Sequence, residues 1–186
     1  NIRRYIALDQ PFEEADFYLE DHIDPDAPPV PQRRTGAPEE LGFLANTGGT
    51  TGRSKGVMLT NGNWQALVSS LVASMPMTVP PVNLVAAPMT HAAGPLALAS
   101  MALGGTVIIL PKFDPGPVID AIQKHRVTYM FLPPTAIYML LSHPGVRDAD
   151  FSSLQYISYA GAPMSTDRLK EAIAVFGPVM NASFGQ

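Results

Sequence analysis

Residues 46–57 read Asn-Thr-Gly-Gly-Thr-Thr-Gly-Arg-Ser-Lys-Gly-Val. Gly48, Gly49 and Gly52 let the backbone curl so that successive N–H groups face one point. Thr47, Thr50 and Thr51 add hydroxyl donors, and Lys55 adds a compact positive charge. Phosphate oxygens accept from such a nest of amides and hydroxyls. The same residue types also make an ordinary polar turn between two strands, so composition alone leaves both readings open. Spacing excludes two familiar phosphate loops. A P-loop puts glycine before its lysine and a hydroxyl after it, whereas Lys55 follows Ser54 and precedes Gly56. A G-x-G-x-x-G dinucleotide turn fails because Thr47 stands where the first glycine belongs, ahead of Gly49 and Gly52.

Three further segments carry groups suited to chemistry. Pro88-Met89-Thr90-His91-Ala92-Ala93-Gly94 sets one imidazole among small residues. A histidine becomes functional only when a partner is placed for it, so His91 by itself also reads as a structural residue. Tyr159-Ala-Gly-Ala-Pro-Met-Ser165 equally suits a site wall or a plain strand-to-helix turn. Asn181-Ala-Ser-Phe-Gly-Gln186 closes the chain with an aromatic beside glycine. His22, His125 and His143 have no metal-ligand spacing, and there is no G-x-S-x-G for a serine hydrolase.

Thr47 to Gly56 closely resemble the phosphate-binding signature [ST]-[SG]-G-[ST]-T-G-x-P-K-G of the adenylate-forming superfamily, departing only at Ser54. That superfamily includes acyl-CoA synthetases, luciferases and peptide-synthetase adenylation domains. Residues 88–94 resemble its P-x-x-H-x-x-G segment, residues 159–165 its G-G-A-P segment with Ala160 for the first glycine, and residues 181–186 the start of its N-x-[YF]-G-x-T-E segment. The resemblance runs from about residue 41 to 186 and is most like an acyl-CoA synthetase or fatty-acid–CoA ligase, with the chain an internal part of the large N-terminal domain.

The resemblance implies roles for particular residues. Thr50, Thr51 and Lys55 would serve catalysis. ATP would be held by Thr47, Gly48, Gly49, Thr50, Thr51, Gly52, Lys55, Gly161, Ala162, Pro163, Phe184 and Gly185. The acid would meet His91, Ala92, Gly94, Tyr159 and Ala160. Amino-acid-activating relatives commonly carry an Asp after the histidine position, whereas Ala92, Ala93 and Gly94 are small and uncharged, which favours a plain carboxylic acid. Mg2+ would be held by the family's Glu, which lies just past Gln186. Coenzyme A would be the acceptor and the cytoplasm the compartment. Lacking that Glu, a ribose-binding Asp and the small domain with its catalytic Lys, the chain alone is expected to be inactive. A non-catalytic nucleotide-binding module, transfer to a carrier protein and a luciferase-type oxidation are the alternatives.

Elements must position these groups. Apolar runs at 41–45, 57–59, 84–87, 107–110, 127–132, 156–159 and 179–184 read as strands. Helical patterns fall at 64–74 (capped by Asn61 or Asn63), 96–103, from Asp114-Pro115 onward, 135–141 and 166–176. That alternation predicts an α/β fold, a mainly parallel sheet with helices on both faces. Residues 24–38 hold five prolines and read as an extended connection, which puts a boundary near Glu40 between an opening segment and the α/β body.

With 186 residues, 46% hydrophobic and 15% charged, the chain can bury a substantial core and is not disordered. It has no cysteine, which excludes disulfides, thiol catalysis and Cys-ligated metals. The net charge of -4 argues against nucleic acid. Residues 1–40 carry ten acids and four bases, leaving a net +2 on the remainder, which tolerates an anionic ligand. No apolar run reaches the roughly 20 residues of a membrane span.

Overall fold

The computed structural model describes residues 6–7, 17–18, 36–46, 55–77 and 80–184. Asn1–Thr35 and Gly36–Gln186 are separate compact units. In the first, β1 (Ile6–Ala7) and β2 (Phe17–Tyr18) pair in parallel. Most of the proline-rich connection read at 24–38 lies outside the described residues.

The second unit starts with a hairpin. β3 (Leu41–Asn46) and β4 (Gly56–Thr60) are antiparallel, Asn46 opposite Gly56, with a bulge between Leu41 and Phe43. These two strands were expected in the main sheet and instead form their own ladder. The reason is the short connection: residues 47–55 can close a hairpin, whereas a parallel crossover needs a dozen or more residues. Phe43 meets Trp64 of the next helix edge-on, with ring centroids 5.7 Å apart.

That helix, α1 (Asn61–Ser74), is capped by Thr60, not by Asn61 or Asn63. Thr60 Oγ1 accepts from the Asn63 N–H at 3.2 Å, and Asn63 Oδ1 accepts from the Thr60 N–H at 2.9 Å. This reciprocal box satisfies two donors that a helix start otherwise leaves open. Thr60→Ala removes half of it and is expected to lower stability by about 1 kcal/mol. Urea unfolding checks this; an unmoved midpoint would mean the box contributes nothing.

Five parallel strands follow: β5 (Val82–Val85), β6 (Thr106–Ile109), β7 (Tyr129–Leu132), β8 (Tyr156–Tyr159) and β9 (Met180–Ala182), in spatial order β6-β5-β7-β8-β9. They are joined by α2 (Ala93–Ala102), α3 (Pro115–His125), α4 (Pro134–Leu141) and α5 (Thr166–Phe176). The expected α/β class therefore holds. The chain first steps outward from β5 to β6, then returns across β5 to β7 and continues the other way. Right-handed crossovers in opposite directions put their helices on opposite faces.

The period-two alternation of each strand feeds both faces. Leu84, Met130, Leu132 and Ile157 form one buried cluster with Val118, Ile122, Ile137, Leu140, Ala172 and Phe176 of α3, α4 and α5. Tyr129 packs with Met75 and Leu96, and Val85 with Ala93 and Ala97, on the face covered by α2. α3 shows why the helices start where they do. Asp114 is its extended N-cap residue and Pro115 opens the first turn, although the Asp114 side chain makes no cap bond. α2 begins at Ala93, earlier than the expected Leu96, because Pro95 in a first turn has no intrahelical N–H bond to lose. Among the described residues, no helix is long and apolar enough to cross a membrane.

Candidate functional site

β5 and β7 are neighbours whose following connections depart in opposite directions. At such a switch point a crevice opens at the carboxyl ends of the strands, where open α/β sheets bind ligands. The segments leaving that edge are residues 86–92 after β5, 110–114 after β6, Pro133 after β7, 160–165 after β8 and 183–184 after β9. The topology thus brings together on one edge His91, the Gly161 turn and Phe184, which lie far apart in sequence.

His91 sits in a tight turn: its N–H donates to the Pro88 carbonyl at 3.3 Å, and its own carbonyl accepts from Gly94 at 3.2 Å. The imidazole is exposed, with Nδ1 3.1 Å from Thr90 Oγ1. Ala92 is also exposed, while Ala93 and Gly94 are buried. Gly94 is required by packing, because any Cβ there would run into the Met89 carbonyl oxygen.

The β8 exit is set by its neighbour. Tyr159 pairs with Ala182, and its carbonyl accepts from the Ser183 N–H at 2.9 Å. Tyr159 and Ala160 are half-buried, while Gly161, Ala162 and Pro163 are exposed. Gly161 turns the chain with φ +89°, a conformation that favours glycine. Ser165 then caps α5, its Oγ accepting from the Arg168 N–H at 3.4 Å. Phe184 is 90% exposed, a large apolar ring left open at this edge.

Lys55 is exposed and immediately precedes β4, so the ladder pair Asn46–Gly56 ties the two ends of the glycine-threonine loop together. Thr47, Gly48, Gly49, Thr50, Thr51, Gly52 and Gly185 lie outside the described residues. Among the described residues no three His, Asp or Glu side chains gather as metal ligands.

Sequence reasoning passed over a buried polar set on the α2 side of the sheet: Asn83, Ser100, Tyr129 and Ser158. Its signal was Asn83 inside the run Val-Asn-Leu-Val, a polar residue where both neighbours are core. Burial pushes the Tyr129 phenol up to about 12, with nearby Ser158 opposing the shift. Away from the site, Asp150 is held below the usual carboxylate range, chiefly by hydrogen bonds from Ser152 and then by Arg126 at 2.9 Å.

The family described as AMP-binding enzyme matches residues 2–186. The chain is 32% identical to the medium/long-chain-fatty-acid–CoA ligase FadD8 of Mycobacterium tuberculosis, over 98% of this chain and 30% of that protein. It is 40% identical to the feruloyl-CoA synthase of an Amycolatopsis species, over 69% of this chain and 27% of that one. The structure of the amide bond synthetase McbA from Marinactinospora thermotolerans superposes with a TM-score of 0.77 at 36% identity, covering 85% of this chain and 32% of that one. The chain thus spans about a third of the length of the proteins it matches.

Proposed function

The chain belongs to the AMP-binding enzyme family, and from that premise we propose that the protein carrying it is an ATP-dependent acid–thiol ligase. It activates a fatty or aryl carboxylic acid as the acyl-adenylate and passes the acyl group to coenzyme A. The observation that carries this reading is the convergence of His91, Gly161 and Phe184 on the carboxyl edge of one parallel sheet.

In the first half-reaction a carboxylate oxygen bonds to the α-phosphorus of ATP as the bond to pyrophosphate breaks. In the second, the thiol of coenzyme A loses its proton and its sulfur bonds to the acyl carbon, releasing AMP. The first step brings anions together, so it needs donors aimed at the charge growing on pyrophosphate. Thr47, Gly48, Gly49, Thr50, Thr51, Gly52 and Lys55 supply amides, hydroxyls and a cation for that purpose. Gly161, Ala162, Pro163 and Gly185 offer backbone to the adenine, and Phe184 offers a ring face to stack on it. His91, Ala92, Gly94, Tyr159 and Ala160 bound the acid.

In this reading residues 1–40 are the opening segment of the large domain, residues 41–186 are part of its ATP and acyl body, and this stretch alone is inactive. Use of ATP and coenzyme A suits a cytoplasmic enzyme. Carboxylate-dependent ATP–pyrophosphate exchange by the full-length protein, with short, medium, long-chain and aromatic acids, tests it. Exchange with one class supports adenylation and names the substrate. ATP binding without exchange for any acid would point to a non-catalytic nucleotide-binding module. The likeness to an amide bond synthetase favours one second reading, an amine in place of the thiol as acceptor. Product analysis with coenzyme A and with amines separates the two, and a carrier-protein phosphopantetheine belongs in the same panel.

A further inference from the structure

Between α1, α2 and β7 lies a small cavity whose walls include Leu71, Met75, Leu96, Ser100 and Tyr129. Its lining is apolar apart from Ser100 and Tyr129, and its interior holds about one water-sized sphere. Tyr129 is 1% exposed, and its hydroxyl has no hydrogen-bond partner among the described residues. Ser158 stands near enough to oppose the phenol's shift by hydrogen bonding, and its hydroxyl also makes a long contact of 3.5 Å with Met75 Sδ. Tyr129 Oη carries an O–H that folding has removed from solvent, an arrangement proteins seldom leave unmet.

Ser100 is the complementary group. Its Oγ donates to the Leu96 carbonyl at 3.0 Å and accepts from Asn83 Nδ2 at 3.0 Å. A hydroxyl oxygen has two lone pairs, so one remains for a second donor. Asn83 and Tyr129 are register partners on β5 and β7. The two strands at the switch point therefore present polar groups on the same face, toward α2.

We propose that this cavity is a built site for a single structural water, which accepts from Tyr129 Oη–H and donates to Ser100 Oγ. The water closes a polar chain from β7 through α2 to β5. Its consequence is orientation of α2, whose sequence Ala-Gly-Pro-Leu-Ala-Leu-Ala-Ser-Met-Ala is apolar almost all round and defines no unique buried face by hydrophobicity. A satisfied buried network supplies that definition.

High-resolution crystal structures of the full-length protein and of Tyr129→Phe test the site, together with melting midpoints of Tyr129→Phe, Ser100→Ala and the double variant. Expected are density for one water within hydrogen-bond reach of Tyr129 Oη and Ser100 Oγ, its loss in Tyr129→Phe, and a lower midpoint for that variant. The double variant should lose less than the sum of the single losses, because either change alone breaks the shared bridge. A dry cavity, an organic molecule in its place, a higher midpoint for Tyr129→Phe, or additive losses would overturn the proposal. Should Tyr129→Phe fail to fold, the density in the unaltered protein decides.

Discussion

Lys55→Ala in the full-length enzyme should lower carboxylate-dependent ATP–pyrophosphate exchange by about 100-fold or more, the usual effect of deleting one donor aimed at transition-state charge. The expectation rests on position as well as charge. Lys55 stands one residue before the Asn46–Gly56 ladder pair, so its backbone is anchored while its side chain is exposed. The melting midpoint should move little, because exposed charges contribute about 1 kcal/mol or less to folding. Exchange kinetics equal to those of the unaltered enzyme would remove Lys55 from the mechanism. A fall in exchange matched by a large fall in midpoint would reassign it to stability.

Gly94→Ala should damage both stability and acid binding. The added Cβ would meet the Met89 carbonyl oxygen, and that oxygen belongs to backbone, which cannot rotate aside as a side chain can. The turn from Pro88 to Gly94 must then open, at a cost of about 1–3 kcal/mol for forced overpacking. That turn also fixes His91 through its bonds to Pro88 and Gly94. The acid's KM should therefore rise several-fold while that of ATP changes less. Chemical denaturation and steady-state kinetics report the two effects separately. An unchanged denaturation midpoint would show that the turn yields freely.

Much of this architecture was legible from local pattern. Short β-branched runs alternating with amphipathic segments announced the parallel sheet, and Asp114-Pro115 marked the start of α3. What escaped depended on partners distant in sequence. The separate β3–β4 ladder follows from the length of its connection, not from its apolar composition. Thr60 was overlooked as a cap because it ends a strand and starts a helix at once. The polar chain through Asn83, Ser100 and Tyr129 emerges only when β5, α2 and β7 are stacked. Within the site, His91, Gly161 and Phe184 could be singled out by their sequence context, but their shared edge is a property of strand order.

The two faces of the sheet are unequal in what they bury. α3, α4 and α5 cover a continuous cluster running from Leu84 to Phe176, whereas α2 rests on two small groups. Opening free energy follows local burial, so the molecule should breathe asymmetrically. Amide protons of α2 should exchange with solvent ahead of those in α3 and α4. Because the His91 turn leads directly into α2, the proposed acid-binding wall belongs to the softer layer. The firmer layer, built on the larger cluster, should hold the strand ends in register on the slower timescale.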